Sequence, residues 1–161
     1  MLIIDQLDIL KDMIVEFGEP SYYWLPVRIV VNDSELLFKS SAVLLEPVTE
    51  LAKALKEVVM GPDEVKVTMY WWLEPEYYDF CFCRKDTQYK LTIWYIDDDY
   101  AGYRERRTMH SEITGSVNDI ILPFYRAIKK FASYAYAETH WPALDSIKIT
   151  RLTQIIKGRK A

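Results

Sequence analysis

Glycine is scarce in this chain, with five in 161 residues. A loop that cradles phosphate needs glycines for close backbone approach, and no Gly-x-Gly-x-x-Gly or Walker A pattern occurs. A His-Glu-x-x-His zinc helix and a Gly-x-Ser-x-Gly nucleophile turn are also missing. Histidine is rarer still: His110 and His140 are the two, and neither has an identifiable Ser or Cys nucleophile beside it. Cys81 and Cys83 are the two cysteines. Residues two apart on a strand share a face, but a disulfide between them is strained. Two reduced, semi-buried thiols are expected, with no metal and no cofactor. No window reaches about 18 consecutive apolar residues, so no transmembrane helix is expected. The opening Met1-Leu2-Ile3-Ile4-Asp5 lacks the basic start of a signal peptide, which points to the cytoplasm. Positive charge is the minority sign, 20 Lys and Arg against 24 Asp and Glu, for a net −4. Phosphate backbones call for clustered Lys and Arg, so nucleic acid is disfavoured as a partner and a basic protein is compatible.

What is present is hydrophobic patterning. Half the residues are hydrophobic, enough for one sizeable core. The clearest signal runs from Val65 to Ile96. Val67, Met69 and Trp71 alternate with Lys66, Thr68, Tyr70 and Trp72. Tyr78, Phe80 and Phe82 alternate with Asp79, Cys81 and Cys83. Leu91, Ile93 and Tyr95 alternate with Thr92, Trp94 and Ile96. Period-two alternation of this length predicts three antiparallel strands, half-buried, with turns at Pro75 and at Arg84 to Gln88. A charged fourth strand, about 103–113, is expected at a sheet edge. Val27–Val31 and Glu35–Phe38 read as a hairpin closed by Asn32-Asp33-Ser34. A helix over 46–60 has Pro47 in its first turn and an apolar stripe of Val48, Leu51, Leu55 and Val58. A long helix over 117–138 has Ser116 as N-cap with Asp119 three residues on; Pro123 should kink it or delay its start. Residues 3–17 have helical spacing, with a strand as the alternative because Ile14 and Val15 are β-branched. The tail from Leu144 to Ile156 fits either a strand or a helix, and its basic end is expected to fray. No repeat or linker interrupts the chain. The reading is one α+β domain over 1–161, an antiparallel sheet of about four to six strands with helices packed on one face.

Candidate functional residues are weighed against simpler explanations. Asp97, Asp98 and Asp99 could hold a divalent cation, but lack the spacing of a calcium loop and read better as a solvated strand end. Glu74 and Glu76, near Asp79, read as a polar turn rather than an acid pair. His110 sits in a charge run with Arg104, Arg106, Arg107 and Glu112, where a partly exposed strand histidine is the simpler reading. His140 is expected at a helix C-terminus. Five Trp and twelve Tyr exceed the needs of a core this size. Tyr70, Trp72 and Trp94 share the second face of the predicted meander. If neither terminus covers that face, it is an aromatic binding patch, with Glu74, Glu76, Asp97, Asp98 and Asp99 as its rim.

The order of hairpin, helix and Trp/Tyr-rich meander spans Glu35 to Val59 and Tyr70 to Ile96. With the turn Trp72-Leu73-Glu74-Pro75-Glu76, it resembles the immunity proteins of bacterial polymorphic toxin systems. That resemblance implies a non-catalytic binder that blocks a toxin domain stoichiometrically. It assigns no site residues. Two other readings stand beside it: a small-molecule-binding domain or enzyme with an aromatic cleft near His110, and a subunit that buries the same face against its own copy.

Overall fold

The computed structural model describes residues 13–98 and 105–160. The chain runs β1 (Met13–Phe17), β2 (Trp24–Val31), β3 (Ser34–Ser41), α1 (Pro47–Met60), β4 (Lys66–Trp72), β5 (Tyr77–Lys85), β6 (Gln88–Asp98), β7 (Glu105–Gly115), α2 (Val117–Ala132) and α3 (Ser146–Lys160). The α+β class holds. The strands divide between two antiparallel sheets, β1-β2-β3 and β4-β5-β6-β7. The division falls where α1 is inserted between β3 and β4. Strand β7 is an edge, as its charge suggests.

Hairpin and cap chemistry follows local rules. Asn32 turns β2 into β3 at a φ of 54°, and Asp86 turns β5 into β6 at 58°; both are residue types that tolerate the left-handed region. Glu46 caps α1 by accepting the Val48 and Thr49 N–H groups, with Pro47 at the first helical position. Burial raises the Glu46 pKa, and its hydrogen bonds to Thr49 and Val48 oppose that shift. Ser116 and Asp119 form a reciprocal capping box on α2. Pro123 lies inside α2 and does not delay its start.

Four expectations are corrected and one left open, the tail, is settled. Residues 13–17 form a strand, registered Met13 to Val31 and Phe17 to Val27, so the β-branched content outweighs the helical spacing there; residues 3–12 lie outside the described residues. Helix α2 ends at Ala132, because the Ser133 hydroxyl takes the Lys130 carbonyl and the chain turns away. His140 therefore sits beyond the helix, accepting from the Tyr22 N–H through Nδ1 at 3.2 Å, and Trp141 packs against Phe131. The tail is a helix, with Ile149, Leu152 and Ile156 buried at helical spacing against the rest of the core. Its basic end is tied down: Arg159 Nη2 donates to the Val59 carbonyl at 2.9 Å.

One buried cluster includes residues of both sheets and all three helices. Trp71 of β4 is central to it, with the rings of Phe17, Phe38 and Phe80 each 5.8 Å away. The C-terminal carbonyls of α1 accept from two arginines. Arg84 on β5 is 9% exposed. Its Nε donates to Val58 O at 3.0 Å, its Nη2 to Gly61 O, and its Nη1 to Asp86 O at 3.0 Å. A cation at the negative end of a helix is favourable, and a guanidinium offers its donors in a fixed fork. Arg28, by contrast, is an exposed strand residue paired with Glu16 and Glu35, where solvent screening leaves little net stability. Arg84→Ala should cost about 2–4 kcal/mol by urea unfolding, since one buried and two part-buried carbonyls lose a charged donor. Arg84→Lys should recover only part of it.

Candidate functional site

Register builds the outer face of the four-stranded sheet. The paired residues form four rows across it: Lys66–Cys83–Lys90–Thr114, Thr68–Cys81–Thr92–Glu112, Tyr70–Asp79–Trp94–Met109 and Trp72–Tyr77–Ile96–Arg107. The alternate residues, among them Val67, Met69, Trp71, Phe80, Phe82, Leu91, Ile93 and Ile113, all belong to the buried core. Among the described residues, none from the four outer rows does. Cys81 and Ile96 are buried without joining that cluster. Helix α3, the former tail, packs against α1. The N-terminal segment proposed as another cover lies largely outside the described residues.

One end of this face is aromatic. Ring centroids of Tyr70 and Trp72 are 5.9 Å apart, Tyr70 and Tyr77 5.0 Å, and Trp72 and Tyr77 4.6 Å. These are separations at which edge and tilted aromatic pairs attract. Tyr70 is 40% exposed, and Trp72, Tyr77 and Trp94 are half-buried. Arg107 reaches from the edge strand over the Trp94 ring, 5.3 Å from its centroid, and Nη1 bonds Asp79 Oδ2 at 3.1 Å. The guanidinium thus holds a carboxylate and an indole together, each favourable to a cation. The patch continues past the β4 edge. A groove of about 240 Å³ between β4 and α1 is lined by Leu45, Tyr70 and Trp72. Leu45 ends an exposed run, Val43 at 65%, Leu44 at 62% and Leu45 at 56%.

The other end carries the thiols. Cys83 stands between Lys66 and Lys90, and Cys81 between Thr68 and Thr92. Their sulfurs are 3.9 Å apart and both thiols are free. Burial, then the neighbouring Cys83, pushes the Cys81 thiol up to about 11. Thr92 Oγ1 donates to Glu112 Oε2 at 3.0 Å.

The candidate residues separate by face. Tyr70, Trp72 and Trp94 are brought together on the outer face. Glu74 is exposed and accepts from Ser41 Oγ at 3.1 Å, toward the three-stranded sheet. Glu76 and Asp97 lie close enough to Tyr95 to raise its pKa, after burial, and Glu76 acts likewise on Tyr78; both tyrosines alternate with the outer-face residues. Asp98 ends β6, and Asp99 lies outside the described residues. His110 is the extra residue of a bulge in β7, opposite the step from Ile93 to Trp94, exposed and 3.1 Å from Ser111 Oγ. Among the described residues it lies on the edge strand of the four-stranded sheet. Sequence reasoning missed Tyr77, Arg107 and the Val43–Leu45 run. Tyr77 follows from extending the alternation of β5 by one step. Three consecutive apolar residues outside any periodic segment were the signal at 43–45. Arg107 had none, since the bulge shifts the alternation of β7.

Scans against known protein families, curated proteins and solved structures found no match for this chain.

The two thiols should differ in reactivity, since the thiolate is the nucleophile and Cys81 is both buried and held protonated. Iodoacetamide at neutral pH, followed by peptide mass mapping, should modify Cys83 well before Cys81. Equal rates would contradict the geometry.

Proposed function

We propose that this chain is a non-catalytic binding protein whose contact surface is the aromatic end of the outer sheet face together with the Val43–Leu45 loop. In its sharpest form it neutralises a toxin domain by stoichiometric binding. The observation that carries the reading is the continuity of Tyr70, Trp72 and Tyr77 with Leu45 across the edge groove, outside the hydrophobic core. Exposed apolar surface of this kind is costly in water unless a partner covers it, and Tyr and Trp give large contact area at low entropic cost.

Charge supports a more specific version. The outer face carries Lys66, Lys90 and Arg107 against Asp79 and Glu112, so the chain's acidic excess lies elsewhere. The aromatic end would anchor the partner. Acidic surface away from it would steer encounter with a basic one.

The test is to express this chain with the products of its neighbouring genes and to measure any toxin domain that co-purifies by calorimetry. One-to-one binding is expected. Tyr70→Ala and Leu44→Ser should each weaken it by about 2 kcal/mol, roughly thirtyfold, with the thermal midpoint little changed. Variants that bind like the parent would remove the face from the interface. A chain that is dimeric by light scattering, and made monomeric by Leu44→Ser, would assign the patch to self-association instead.

A further inference from the structure

We infer that Cys81 and Cys83 form a two-thiolate site for a soft monovalent metal ion of the copper(I) type, at the end of the outer face away from the aromatic cluster. The spacing is the first reason. Sulfurs 3.9 Å apart are nearly twice as far as a disulfide allows, about 2.04 Å. Two thiolates alone hold copper(I) near-linearly, with sulfurs about 4.3 Å apart, so this pair has to open by only about 0.4 Å to take the ion. The second reason is rigidity. Both cysteines lie inside β5 and are paired on each side, Cys81 with Thr68 and Thr92, Cys83 with Lys66 and Lys90. Same-face neighbours on a strand have Cα atoms about 6.7 Å apart, at the upper limit for a disulfide, so direct closure would pull the central strand out of its ladder. A bridging ion asks only for that small side-chain opening and leaves the ladder in place.

The surroundings select the ion. Among the described residues, no group of three or more His, Cys, Asp and Glu side chains is placed to hold a metal. A closed tetrahedral zinc site needs four such donors. Thiolates favour copper(I), which is satisfied by few of them. Charge fits as well. On coordination each thiol releases its proton to solvent, and two thiolates with one monovalent cation leave a net charge of −1. The ammonium groups of Lys66 and Lys90, which flank Cys83 in the register, oppose that charge at cross-strand distance. Access is through Cys83, which is half-exposed and lines a surface depression of about 330 Å³ with Lys90 and Thr114.

The experiment is an anaerobic titration of the reduced, full-length chain with copper(I), against a chromogenic copper(I) chelator as competitor. The expected result is one equivalent bound, with a thiolate-to-copper ultraviolet band. Cys83→Ser and Cys81→Ser should each lower the affinity by about a hundredfold or more, because the second sulfur binds as an intramolecular partner. Should Cys81→Ser fail to fold, Cys83→Ser decides alone, its side chain being half-exposed. Lys66→Glu combined with Lys90→Glu should weaken binding while leaving the stoichiometry at one. X-ray absorption of the loaded protein should show sulfur as the main scatterer. No uptake at one equivalent, or a Cys83→Ser variant that binds as tightly as the parent, would overturn the site.

Discussion

Trp71 stands where the two sheets meet. Its indole packs at 5.8 Å against Phe17 from β1, Phe38 from β3 and Phe80 from β5, and it is fully buried. Successive side chains of a strand point to opposite faces. Seating Trp71 inward therefore turns Tyr70 and Trp72 outward. The same constraint propagates through the register to Tyr77, Asp79, Cys81 and Cys83 on β5, and to Lys90, Thr92 and Trp94 on β6. The content of the outer face is set by what the core requires of the inner one. A slip of one residue would exchange the two sets entirely.

The helices reinforce this choice from one side. Phe124 of α2 packs on Phe80 and Phe82, and α1 lies along β4 and β5. Arg84 then joins the end of α1 to the far end of β5, and Arg159 joins it to α3. These contacts fix the inner layer. The face so exposed is chemically divided, with aromatics and a guanidinium at one end and two thiols between lysines at the other. Rigid strands hold both sets, which suits recognition better than a loop would.

Much of this was legible in the chain. Val67, Met69 and Trp71 against Tyr70 and Trp72 announced the two faces, and Ser116 with Asp119, or Pro47 after Glu46, announced helix starts. The partition into two sheets was not legible, because no local signal says that β3 and β4 fail to pair across α1. Arg84 looked like a turn residue; its carbonyl partners lie at Val58 and Gly61, well upstream. The tail became a helix because Ile149, Leu152 and Ile156 bury together on the core, a tertiary preference that outweighed its β-branched content. At the site, shared facing of Tyr70, Trp72 and Trp94 was readable from alternation alone. The reach of Arg107 to Asp79 and Trp94 was hidden by the bulge at His110.

The most direct test compares two neighbouring tryptophans by equilibrium urea unfolding. Trp71→Ala should lose about 3–5 kcal/mol, as a fully buried ring leaves a cavity between the sheets. Trp72→Ala should lose no more than about 1.5 kcal/mol, the worth of its surface ring contacts. Comparable losses at both positions would mean that the outer face is packed as firmly as the inner one, and the division on which the account rests would be wrong.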